Sequence, residues 1–152
     1  MNIPFLTKKN FFSEEEKKLI VDAVKEAEQQ TSGEIRVYVE SRCRFVDPLD
    51  RAAEVFTLLH MGKTAGHNAV LLYFAVKDRQ MAIFGDQGIH EKVGEVFWQK
   101  QVSQILSRFQ REHFAAAIAG VIKEIGDALK THFPYDRQTD INELPDDIVF
   151  GR

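Results

Sequence analysis

The stretch Gly85-Asp86-Gln87-Gly88 sets a carboxylate between two glycines, after a short apolar run and before a helical pattern. Two glycines let a backbone turn sharply, and a carboxylate at a helix start has two uses. It caps the helix by accepting a hydrogen bond from a free N–H, aided by the helix dipole. It is also a hard ligand for calcium or magnesium when other oxygens come near. Asp78 cannot be its partner, because an extended segment at about 3.3 Å per residue puts the two roughly 25 Å apart.

Chain topology says which oxygens can come near. A hairpin ending at Asp86 returns to the start of the preceding strand, at His67-Asn68. If an earlier strand runs parallel to that one, its start at Gly33-Glu34 lies at the same end of the sheet. The helix after Gly88 offers Glu91 or Glu95. Glu34, Asn68, Asp86 and Glu95 are therefore the expected hard-oxygen cluster for Ca²⁺ or Mg²⁺. The alternative stays open: Asp86 only caps, Glu34 only faces water and Asn68 only ends a turn. At the opposite end Asp78 and Arg79 read as hairpin-turn residues, with a second ion position open at Asp78 beside Glu40 or Asp47.

Other chemistries fail on spacing. Gly62-Lys63-Thr64 ends like a phosphate-binding loop, but Thr57 stands where that loop needs glycine, and the preceding segment reads as helix. His90-Glu91 begins like a zinc-protease helix, yet the fifth position is Gly94. Cys43 has Leu49 where a cysteine-phosphatase loop carries arginine. No Gly-x-Ser-x-Gly elbow and no EF-hand spacing occur. The five histidines are scattered, as surface or core-edge residues are. Cys43 between Arg42 and Arg44 reads as an inert thiol, its pKa lowered only if it is exposed.

The elements that must position these residues follow from pattern. Ser13-x-x-Glu16 is a capping box, and Leu19, Ile20, Ala23, Val24 and Ala27 line one face of the helix it starts. "EIRVYVES" alternates, with Ile35, Val37 and Val39 on the better-buried face. Asp47-Pro48 starts a second helix. "AVLLYFAV" is apolar without alternation, as a strand buried on both faces should be. Lys77-Asp78-Arg79 turns the chain and "QMAIF" returns as its hairpin partner. Two helical stretches follow, one with Val93, Val96, Phe97, Val102, Ile105, Leu106 and Phe109 on one side, the other carrying Ile118, Val121, Ile122, Ile125 and Leu129. Strand–helix–strand predicts a right-handed parallel pair, and the hairpin adds an antiparallel neighbour. The expected fold is α/β: an α/β/α sandwich in which a small mixed β-sheet is flanked by helices on both faces. The tail is expected to be an extended strap, with Ile148 and Phe150 packing down and Asp146-Asp147 solvated.

Composition narrows the function classes. At 152 residues, with 44% hydrophobic and 28% charged residues, the chain has the make-up of a soluble domain. A net charge of −3 gives no basic excess for nucleic acid and no basic face for a membrane surface. The longest apolar run is too short to span a bilayer. The amino terminus lacks a signal-peptide pattern, so a cytoplasmic location is expected. One cysteine forms no internal disulfide.

The pattern "TSGEIRVYVES", a helix, "HNAVLLYFAVKDRQMAIFGDQGI", Glu95 and paired helices resembles the TPM domain, a family associated with thylakoid-lumen and photosystem II repair proteins and formerly a domain of unknown function. The resemblance covers residues 12–133, leaving 134–152 as a C-terminal extension, and is most specific from Asn68 to Gly88. It implies an α/β/α sandwich; calcium binding and acid phosphatase activity, described for some members, are implications of the same kind. The sequence departs from the family's pattern in showing no signal-peptide pattern and no apolar run of membrane length, in reading Asn68-Ala69 where Asn-Gly is common, and in placing Asp86 among the glycines and Glu95 where aspartate is common. The functional expectation is a non-enzymatic accessory domain that binds a divalent cation and offers a surface to a protein partner. The alternative is a metal-assisted phosphatase acting on phosphomonoesters, and a third option is an interaction scaffold without an ion.

Overall fold

A computed structural model describes residues 11–43, 47–109, 113–135 and 148–151. The order is α1 (Glu14–Glu28), β1 (Glu34–Glu40), α2 (Pro48–Leu58), a 3₁₀ turn (Met61–Lys63), β2 (Ala69–Ala75), β3 (Gln80–Gly85), α3 (Gln87–Val93), α4 (Glu95–Leu106), α5 (Phe114–His132) and β4 (Val149–Phe150). The strands form one mixed sheet in the order β3-β2-β1-β4. β1 runs parallel to β2 and to β4, and β3 is antiparallel to β2. The sheet has helices on both faces, as an α/β chain with these periods should.

Each element starts where its residues require. Ser13 Oγ accepts from Glu16 N and Glu16 Oε1 accepts from Ser13 N, closing the capping box of α1. Asp47 caps α2 through Leu49 N, with Pro48 as its first residue. The hairpin pairs Ala75 with Gln80 and Val70 with Gly85.

The two faces differ. Ile35, Val37, Val39, Val70, Leu72 and Phe74 meet α1, α4 and α5 in the larger core, while Ala69, Leu71, Tyr73 and Ala82 meet α2 in a smaller one. All seven residues of β2 are buried. β1 is less one-sided than its alternation suggests, because Glu34 and Glu40 are buried too. The long helix expected through Val93–Phe109 is broken at Gly94, whose φ of 79° is open to glycine at little cost. The break resets the helical phase, so α4 buries Trp98, Gln101 and Ile105 and leaves Val96 77% exposed. In the tail Ile148 is buried in the larger core and Val149 pairs with Tyr38; Asp146 and Asp147 lie outside the described residues.

Candidate functional site at the β3–α3 junction

Asp86 is the N-cap of α3. Its Oδ1 accepts from Gln87 N at 2.8 Å, and its own N–H donates to Ala69 O at 2.9 Å, continuing the β2–β3 ladder by one residue. The second oxygen differs in kind: Oδ2 is buried and accepts no hydrogen bond among the described residues, with His67 Nδ1 3.5 Å away. A buried carboxylate oxygen without a donor costs free energy unless a cation or water serves it.

The flanking glycines are needed for contact rather than turning, since neither has a positive φ. A Cβ on Gly88 would stand 2.2 Å from Gly66 O and 2.6 Å from His67 O. A Cβ on Gly85 would stand 2.4 Å from Trp98 Cζ2. The absent side chains thus let the 66–67 backbone press against the start of α3 and the indole of α4 lie across the end of β3. Gly88 N donates to His67 O at 2.8 Å, tying the two loops together.

The structure gathers the expected residues at one end of the sheet but not into one ring. Glu34, Ala69 and Asp86 stand in one row across three neighbouring segments of the sheet, Glu34 paired with Ala69 and Asp86 bonded to it. Glu34 is buried on the α2 side of the pleat by strand alternation, whereas Asn68 falls on the other side. Asn68 Nδ2 donates to Ser32 Oγ at 3.2 Å, and its buried Oδ1 has no hydrogen bond among the described residues. Glu95 is exposed as the first residue of α4 and lines the same groove as Asp86. Among the described residues no three His, Cys, Asp or Glu side chains gather closely enough to hold a metal ion by themselves.

Asp78 has its own work at the other end. Its Oδ1 accepts from Arg42 Nη1 at 3.2 Å and its Oδ2 from Cys43 N at 2.7 Å, so the carboxylate pins the chain leaving β1. Glu40 is likewise engaged: Arg51 Nε and Nη2 each reach it at 2.9 Å, and the Tyr73 hydroxyl donates to Oε2. Burial, then the bond to Glu40, pushes the Tyr73 hydroxyl well above the ordinary tyrosine range. The Glu40 bond likewise raises Arg51. This buried pair fixes α2 on the sheet. It was not apparent in the sequence, where Glu40 and Arg51 sit eleven residues apart on different elements.

A family model for the TPM domain matches residues 6–128. The chain belongs to the TPM domain family. The NMR structure of BA42 from the psychrophilic bacterium Bizionia argentinensis matches this TPM domain with a TM-score of 0.82 and 41% identity, covering 93% of this chain and 96% of that one. The N-terminal domain of cg2496 from Corynebacterium glutamicum shares the fold, at a TM-score of 0.55 and 19% identity over 78% of this chain and 74% of that one. No curated protein matches the chain. Among the described residues no helix is long and apolar enough to cross a membrane.

Proposed function

We propose that this TPM domain is a non-enzymatic accessory domain that binds a hard divalent cation, Ca²⁺ or Mg²⁺, at the junction of the 66–68 loop with Asp86. The observation that carries the reading is Asp86 Oδ2, a buried carboxylate oxygen with no hydrogen-bond donor among the described residues. Asn68 Oδ1, also buried and without a hydrogen bond among the described residues, is one residue away in register on the opposite side of the pleat, and the Gly66 and His67 carbonyls crowd the same junction as Asp86. Carboxylate, amide and backbone carbonyl oxygens are the donor set that calcium takes. Asp86 would supply the charge and the Gly66 and His67 carbonyls neutral oxygens, with Glu34 and Glu95 as further carboxylates at the same sheet end. The bound ion would supply positive charge that holds two loops together.

Thermal unfolding in EDTA, then in millimolar Ca²⁺ or Mg²⁺, tests this on the parent chain and on Asp86→Asn. Asparagine caps a helix as well as aspartate does, so the variant removes charge and keeps the cap. A cation at 100 times its Kd stabilises by about 2.7 kcal/mol, or about 5–10 °C for a chain of this size. A shift in the parent that Asp86→Asn abolishes supports the site. Equal melting with and without cation leaves Asp86 as a cap alone.

A further inference from the structure

Among the described residues β3 is an edge strand, and its outer side carries the inference. Asp86 N–H bonds to Ala69 O, and backbone groups in an antiparallel pair alternate in direction. The backbone groups of Gln80, Ala82 and Phe84 therefore turn toward β2, while those of Met81, Ile83 and Gly85 turn outward. No described residue hydrogen-bonds these outward N–H and C=O groups. Unpaired edge groups of this kind are a template for another strand.

That edge opens on a groove of about 890 Å³ between the start of α2 and the outer face of α4. Its floor is apolar, with Met81, Ile83 and Trp98, and Leu49 on its rim is 43% exposed. Its charges have one sign. Asp47, Asp86 and Glu95 line it, and among the described residues no lysine or arginine does. Asp47 stands toward the Met81 end, because α2 begins beside Glu40, in the row of Ala75 and Gln80. Asp86 and Glu95 stand at the other end. His90 Nδ1 accepts from Trp98 Nε1 at 3.0 Å.

We infer that the β3 edge takes up an extended, basic segment of a protein partner as a fifth strand of the sheet. Backbone hydrogen bonds to Met81, Ile83 and Gly85 supply affinity, and lysine or arginine at the ends of a segment of about five residues meets the acids at the groove's ends. A second copy of the chain fits poorly, since β3-to-β3 pairing sets two acidic rims against each other. The inference rests on the accessory-domain part of the proposed function and not on the cation.

The test uses the full chain in EDTA and the capped pentapeptide Lys-Val-Thr-Val-Lys. Two controls carry glutamate for both lysines, or N-methyl groups on the three central amides. Trp98 is the only tryptophan, so its emission reports the groove directly. The lysine peptide should shift that emission saturably and slow hydrogen exchange at the Met81, Ile83 and Gly85 amides at least tenfold. Both controls should bind at least tenfold more weakly. Gln99→Lys and Glu95→Lys, both at exposed positions, should weaken the lysine peptide about fivefold or more with circular dichroism unchanged. Absence of saturable binding, equal binding of the N-methylated peptide, or equal binding of the glutamate peptide overturns the proposal. So does protection of the same amides without peptide in step with dimer formation in sedimentation, which assigns the edge to a second copy. A cation-dependent melting shift alongside failed peptide binding leaves the ion site standing and removes only the docking edge.

Discussion

Trp98 lies across Gly85 so closely that the smallest side chain at position 85 would enter the indole ring. The contact joins the end of the edge strand to α4, and Trp98 Nε1–H is held by His90 Nδ1 of α3. One aromatic residue thus ties three elements beside the candidate cation site. Gly85→Ala should push the indole outward and destabilise the fold by about 1–3 kcal/mol, the usual cost of forcing an extra methyl into a packed contact. Urea unfolding gives the loss, and a red shift of tryptophan emission in the folded variant shows its origin. Unchanged stability and emission would mean that α4 gives way without cost.

The Glu40–Arg51 pair makes a second prediction. The Glu40 carboxylate is 5% exposed and the Arg51 side chain 19%, and the geometry is bidentate. Removing one partner of such a pair leaves a charge in a poorly hydrated place. Glu40→Gln should therefore cost about 3 kcal/mol, at the lower end of the range for buried pairs because Arg51 keeps some water. Chemical denaturation measures it. The double variant Glu40→Leu with Arg51→Met should recover part of the loss, since neither charge then remains.

The same network predicts a direction for alkaline pH. Tyr73 is raised by burial and by its bond to Glu40, and Tyr38 by burial and by the Glu40 charge. A group whose folded pKa is raised contributes fully below its unfolded value, about 10 for tyrosine. Above pH about 10 the unfolded chain releases protons that the folded chain keeps, so stability falls as pH rises. Absorbance at the tyrosinate band should show one of the three tyrosines, Tyr73, ionising only with loss of near-ultraviolet ellipticity. Ionisation of all three while that ellipticity persists would contradict the buried hydrogen bond from Tyr73 to Glu40.

Much of the fold is legible in the residues because the signals are local. Ser13 with Glu16, Asp47 with Pro48 and the apolar run of β2 each fix an element without reference to the rest of the chain. The end of the sheet that holds Glu34, Asn68 and Asp86 follows from the hairpin and one parallel pairing. Side-chain direction does not follow so readily, because the pleat sends Glu34 and Asn68 to opposite faces while their proximity along the sheet stays the same. The role of the glycines is not legible either, since what each would strike comes from elsewhere: Trp98 for Gly85, and the 66–67 backbone for Gly88. The break at Gly94 is a third case. An apolar pattern running from Val93 to Phe109 hides it, and only the backbone angle shows that the helical phase restarts.

Gln101 gives the last prediction. It is fully buried on α4, and neither end of its amide has a hydrogen-bond partner among the described residues. Leaving a buried polar group unsatisfied costs about 1–3 kcal/mol, whereas an apolar replacement of similar shape is neutral or favourable. Methionine matches glutamine in length and lack of branching, and it adapts to irregular gaps. Gln101→Met should stabilise the fold by about 1–2 kcal/mol, raising the midpoint of urea unfolding with the slope unchanged. A loss of similar size would instead show that buried water bonds the amide in solution. Gln101→Ala separates packing from polarity, because it removes the amide and leaves a cavity, so it should fall below Gln101→Met in either case.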